Sequence, residues 1–157
     1  MADEGLSAFS QKELARLAKR FTLMGEAAEA EARTESNAMA EYTLGQIRQA
    51  GYGRTVSGKA VRRVVDGAKV AKSSKTGRID LGYVGQKFSG GGNTQILWGG
   101  LEFGTKNPKL KQFPNWSGRY GRGSRGWFIY PTLRKVQPEL TRKWIDAFNR
   151  IVADWNK

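Results

Sequence analysis

Ile96-Leu97-Trp98-Gly99-Gly100-Leu101-Glu102-Phe103-Gly104-Thr105 sets large apolar side chains around a glycine pair and closes on Glu-Phe-Gly-Thr. Short runs of large or β-branched residues bounded by Gly, Ser, Lys and Asn read as strands joined by turns. On that reading Ile96–Phe103 is a strand, ended by the turn that Gly104 permits. Upstream, Val56, Val61, Val64, Val65, Val70, Ile79, Leu81, Tyr83 and Val84 fall in similar short runs. Ile79-Asp80-Leu81-Gly82-Tyr83 alternates, as a strand with one apolar face does. Val61, Val64 and Val65 also fit helical spacing, so Ala60–Asp66 reads equally as a short helix. Ser89-Gly90-Gly91-Gly92-Asn93 is a flexible loop. The expectation is a sheet of three or four antiparallel strands.

Downstream, residues 104–126 hold six basic side chains, Lys106, Lys109, Lys111, Arg119, Arg122 and Arg125, and no acid. Glycine this dense holds no packed element, which predicts a long loop, mobile until a partner orders it. Gly121–Gly126 matches G-x-G-x-x-G, but that pattern binds dinucleotides only between a strand and a helix, and here a loop precedes it. Trp116, Tyr120 and Trp127 interleave the arginines, a mix suited to phosphate contact and base stacking. Trp127-Phe128-Ile129-Tyr130 reads as a further short strand. Leu140, Trp144, Phe148, Ile151 and Trp155 then recur at three- and four-residue steps, which predicts an amphipathic helix over 137–155 with Pro138 in its first turn.

At the other end, Ser10-Gln11-Lys12-Glu13 is a capping-box pattern, followed by Leu14, Leu17, Phe21, Met24 and Ala28 on one helical face. The periodicity runs on to Ile47, and Gly51 and Gly53 suit a helix end. An unbroken helix over 10–50 would be about 60 Å long at ~1.5 Å per residue, too long for a domain of this size. Either it breaks near Gly25 or around Thr34–Asn37, or it projects and packs against a neighbouring subunit. Its apolar stripe is thin and Ala-rich over Glu26–Ala40, which suggests packing completed by a partner. The whole is an α+β fold in one domain, 1–157: a long N-terminal helix, a small antiparallel twisted sheet over 54–130 and a C-terminal amphipathic helix.

Charge narrows the function. The chain of 157 residues carries 27 Lys+Arg against 14 Asp+Glu, net +13. Residues 47–135 hold 18 of those cations and three acids, Asp66, Asp80 and Glu102, whereas residues 1–46 are net −3. A field so placed attracts polyanions, nucleic acid the commonest. With no Cys and no His, disulfides, thiolate nucleophiles, Cys/His zinc sites and His-based triads are excluded. Three scattered carboxylates are a poor basis for a metal-dependent nuclease, so no catalytic residue, metal or cofactor is expected. No stretch of ~20 apolar residues spans a bilayer, and Met-Ala-Asp-Glu-Gly lacks a signal-type apolar region, so a soluble, cytoplasmic protein is expected.

Taken together, Ile96–Thr105 and Trp127-Phe128-Ile129-Tyr130-Pro131-Thr132-Leu133 resemble the neck or tail-completion (tail-component) family of long-tailed bacteriophages. In that family an E-F-G-T turn ends one strand, and an aromatic strand leads through Pro into the final helix. The resemblance covers about a quarter of the chain and singles out Glu102, Phe103, Gly104, Thr105 and Pro131 as motif residues. It implies a structural protein of the virion's head–tail junction, assembled in the host cytoplasm. It also implies a homo-oligomeric ring, hexamer or dodecamer, between a head-closure or adaptor protein and the tail terminator or tube. Packaged double-stranded DNA would pass through the lumen and meet the basic loop non-specifically. Glu102, an acid set in a basic run, would be paired and hold the turn. A tail terminator and a stand-alone basic nucleic-acid-binding protein are the competing readings.

Overall fold

A computed structural model describes residues 11–55, 57–72, 77–82, 85–107, 109, 113 and 125–157 of the chain. Its elements run α1 (Gln11–Met24), α2 (Glu26–Tyr52), α3 (Gly58–Asp66), β1 (Lys69–Ala71), β2 (Arg78–Asp80), α4 (Thr94–Phe103) and α5 (Ile129–Trp155). The class is α+β, mostly helical, with one small antiparallel sheet and a long helix towards each end.

The long N-terminal periodicity breaks at Gly25, whose φ of 104° only glycine adopts at little steric cost. Thr34–Asn37, the other candidate break, lies inside α2. Ser10 of the capping box lies outside the described residues. Downstream, among the described residues, the sheet has two strands of three residues each; Val56, Tyr83 and Val84 lie outside them. Ala60–Asp66 takes the helical alternative, with Val61, Val64 and Val65 buried on one face of α3.

Two strand assignments are overturned. Ile96–Phe103 is the body of α4, started by Asn93, whose side chain accepts the Ile96 N–H at 3.1 Å. Trp127–Tyr130 is the entry into α5, which begins at Ile129, eight residues before the expected start. Pro138 therefore stands inside the helix rather than in its first turn. There it removes one backbone hydrogen bond, at an exposed position.

The chain divides into two compact units. The first takes its described residues from Met1–Thr43, Val70–Arg78 and Arg134–Lys157, the second from Leu44–Lys69 and Ile79–Leu133. In the first unit Phe21 of α1, Ala28 and Ala32 of α2 and Ile151 of α5 form a buried cluster, flanked by Met24, Trp144 and Phe148. Phe21 meets Phe148 edge-on, with ring centroids 5.8 Å apart. Ala28 and Ala32 of the Ala-rich stripe of α2 are thus covered by bulky side chains of α1 and α5 in the same chain.

In the second unit Ile47, Val61, Val64, Val65, Leu101, Trp127, Phe128 and Ile129 make one buried core. Arg48 of α2 closes the end of α3 by donating to the carbonyls of Val65 (3.1 Å) and Ala68 (2.7 Å). A cation there also complements the negative end of that helix.

Candidate functional site

The motif residues and the described parts of the basic loop all fall in the second unit. Glu102 is fully buried at the end of α4. Its Oε2 accepts the backbone N–H groups of Phe128 (2.9 Å) and Ile129 (3.0 Å), and its Oε1 accepts that of Tyr130 (2.8 Å). A helix leaves its first four N–H groups without intrahelical partners. In α5 three of those are the ones Glu102 takes, and the fourth position is Pro131, which has no N–H. The first turn of α5 is therefore completely accounted for by two residues of the motif. The negative carboxylate also faces the positive end of the helix dipole. The pairing foreseen for Glu102 is real, but its described partners are amides of α5 rather than a cation.

Around this tie the chain is tightly shaped. Gly126 has a φ of 71°, and a Cβ there would lie 2.1 Å from Glu102 Oε1, so only glycine passes between the carboxylate and α5. Arg54, two residues past the end of α2, donates to the Trp127 carbonyl at 2.8 Å, with its guanidinium 5.3 Å from the Trp127 ring centroid. Phe103 meets Tyr130 edge-on at 5.0 Å. Gly104, with a φ of 80°, ends α4, so the turn closes a helix here and not the strand that the resemblance implies. Thr105 and Asn107 then turn the chain: Thr105 Oγ1 accepts the Asn107 N–H at 3.1 Å, and Asn107 Oδ1 accepts the Lys109 N–H at 3.0 Å.

Both ends of the segment 104–126 are consequently fixed at Glu102, one through α4 and the other through Gly126 and the α5 amides. Of the predicted basic residues, Lys106, Lys109 and Arg125 are described and exposed, on the flanks of that tie. Lys111, Arg119 and Arg122 lie outside the described residues. Electrostatically the second unit dominates: its described residues hold 10 Lys+Arg against Asp66, Asp80 and Glu102, net +7. All three acids are engaged. Asp66 accepts a hydrogen bond from the Tyr52 hydroxyl, which holds that phenol above its ordinary pKa. Glu102 serves α5, and Asp80 has a partner of its own.

Among the described residues, no three His, Cys, Asp or Glu side chains form a group that could hold a metal ion. Among the same residues, no helix is long and apolar enough to cross a membrane. Sequence reading missed Arg54, whose role depends on a contact 73 residues away. It also missed an apolar cavity of about 540 Å³, walled by Ala60, Phe88, Gly92, Leu97, Leu101 and Phe113. Comparison with protein-family models, with characterised proteins and with solved structures finds no match.

Proposed function

We propose that this chain is a non-enzymatic structural protein of the neck of a long-tailed bacteriophage virion, in a ring that joins the closed head to the tail. The observation that carries the reading is the Glu102 tie. The two halves of the sequence motif, Ile96–Thr105 and Trp127–Leu133, meet as one device that caps α5 and anchors both ends of a basic segment. A segment rooted at both ends and charged so uniformly in sequence suits a passage traversed by DNA, where phosphates must be neutralised without base readout. The partners on this reading are further copies of the chain, a head-closure or adaptor protein, the tail terminator or tube, and the packaged duplex.

The test is electron microscopy of lysates from a phage with this gene disrupted. Filled heads and separate tails side by side are expected. Normal joined virions would refute the neck reading, and joined virions with tails of uncontrolled length would move the assignment to a tail terminator.

The net +7 of the second unit's described residues supports a second reading, a stand-alone nucleic-acid-binding protein. It predicts duplex binding by the isolated chain with log K falling as log salt rises, at a slope of about −0.9 per phosphate contacted. Joint reversal of Arg119, Arg122 and Arg125 to Glu would abolish that binding; unchanged affinity in the triple variant removes this reading.

A further inference from the structure

The outer face of α3 plays no part in the Glu102 tie. Val61, Val64 and Val65 turn the inner face of this helix into the core. Lys59, Arg62 and Arg63 stand on the opposite side, three and four residues apart. Lys59 and Arg62 are exposed. The Arg63 guanidinium is held in place: it lies 4.4 Å from the Phe88 ring centroid and donates to the Lys87 carbonyl. That bond brings exposed Lys87, 24 residues further on, to the edge of the same face. The face has one acid, Asp66 at its C-terminal end, whose carboxylate accepts the Tyr52 hydroxyl.

Such a row of charges works against the helix that carries it. Like charges at these spacings repel, and Lys59 in the first turn meets the positive end of the helix dipole. Among the described residues no ion pair reaches Lys59, Arg62 or Lys87 to offset this. In the first unit, by contrast, Glu29 pairs with Arg33, Glu139 with Lys143, and Glu31 and Glu35 with Arg150. α1 also exposes cations, Lys12, Arg16 and Lys19, but its unit holds nine described acids against three in the second. Unpaired cations in a unit of net +7 are relieved by a polyanion.

The kind of polyanion follows from what the face lacks. None of the exposed large apolar side chains, Leu23, Tyr52, Ile96, Ile145 and Trp155, lies on α3. Protein interfaces are built round apolar and aromatic cores and are poor in Lys. Phosphates need only cations, and an Arg fork already fixed by a ring and a carbonyl loses little freedom in binding one. We propose that the Lys59–Arg62–Arg63 face of α3, continued by Lys87, contacts the phosphate backbone of duplex DNA. The proposal rests on the reading above of DNA as a partner, and gives that contact a helical surface distinct from residues 104–126.

Fluorescence anisotropy of a labelled, mixed-sequence duplex of about 20–30 bp, titrated with the full chain between about 0.05 and 0.2 M salt, reads the contact. Wild-type chain is expected to bind with an affinity that falls steeply as salt rises. Lys59→Gln/Arg62→Gln/Lys87→Gln should bind about 10- to 100-fold more weakly at ~0.1 M salt, with a log–log slope shallower by about 2–3. Its urea midpoint should match or exceed that of wild type, because repulsion is relieved. A lower midpoint alongside the loss of binding would make the role structural and overturn the proposal. Lys59→Arg/Lys87→Arg should keep wild-type binding. The matched control is Lys12→Gln/Arg16→Gln/Lys19→Gln on α1, which should keep the wild-type slope; an equal loss there means that binding follows net charge alone and overturns the face. Wild-type affinity in the α3 variant, with binding lost only on reversal of Arg119, Arg122 and Arg125, overturns the proposal and leaves both readings of function standing. A wild-type chain that binds no duplex at the lowest salt overturns it too, while the microscopy of lysates judges the neck reading separately. Polyglutamate binding as tight as that of the duplex, and lost in the same α3 variant, would make the face a site for acidic protein and likewise overturn the proposal.

Discussion

Replacing Glu102 should unfasten the second unit from a single atom group. In Glu102→Ala the N–H groups of Phe128, Ile129 and Tyr130 lose their acceptor. Phe128 and Ile129 are almost wholly buried, so water does not replace the carboxylate there. An orphaned buried donor costs about 1–3 kcal/mol, and loss of a negative charge at a helix N-terminus adds about 0.3–1 kcal/mol. Two fully buried donors and one half-buried one then give a loss of roughly 3–7 kcal/mol. That is a large part of the ~5–15 kcal/mol that holds a typical domain folded.

Glu102→Gln separates charge from shape. Its one remaining carbonyl oxygen can serve Phe128 and Ile129, but its amide then points a donor at the Tyr130 donor, for a loss of about 2–4 kcal/mol. Urea unfolding followed by circular dichroism reads the change. With a slope of ~1–3 kcal/mol per M, a 3 kcal/mol loss moves the midpoint down by about 1–3 M. Hydrogen exchange supplies a local readout: the amides of residues 128–130 should lose protection well ahead of those of α3. A Glu102→Gln chain within about 0.5 kcal/mol of wild type, with those amides still protected, would refute the capping argument.

Other consequences are more local. Gly126→Ala forces a side chain into a positive φ and onto Glu102 Oε1; the backbone strain alone costs about 1–3 kcal/mol, readable in the same urea titration. Phe128→Ala empties the centre of the second unit's core and should cost about 3–5 kcal/mol, with the first unit's Phe21–Phe148 contact intact by aromatic NMR shifts. In the first unit, the Tyr42 hydroxyl donates to Glu139 at 2.6 Å, and this bond, aided by Lys143, holds the carboxyl below its ordinary 4.5. A depressed carboxylate contributes stability that is present above its unfolded pKa and is lost as pH falls through its folded one. Carboxyl NMR should therefore find Glu139 titrating below 4.5, and Tyr42→Phe should move it back up.

The α+β class, the helical periodicities of α1, α2 and α5, the concentration of charge in residues 47–135 and the motif residues were all legible in one dimension. These properties depend on spacing along the chain, on composition, or on a glycine at a turn. Even the break at Gly25 was among the possibilities that spacing alone left open.

Tertiary structure decided the rest, and α4 is the clearest case. Its glycine pair argues against helix, yet in the helix Gly100 lies against the Phe113 ring, where a Cβ would come within 2.8 Å of a ring carbon, so glycine is what the packing there requires. Leu101 and Glu102 then point into the core and towards α5. The early start of α5 follows from the same contact: Trp127–Tyr130 turns into helix because a carboxylate 26 to 28 residues upstream accepts its first amides. No local propensity encodes an acceptor so distant. Periodicity reports which face of an element is apolar, but what caps an element, fills its glycine gaps or covers an alanine stripe is supplied by side chains remote in sequence, and only folding brings them together.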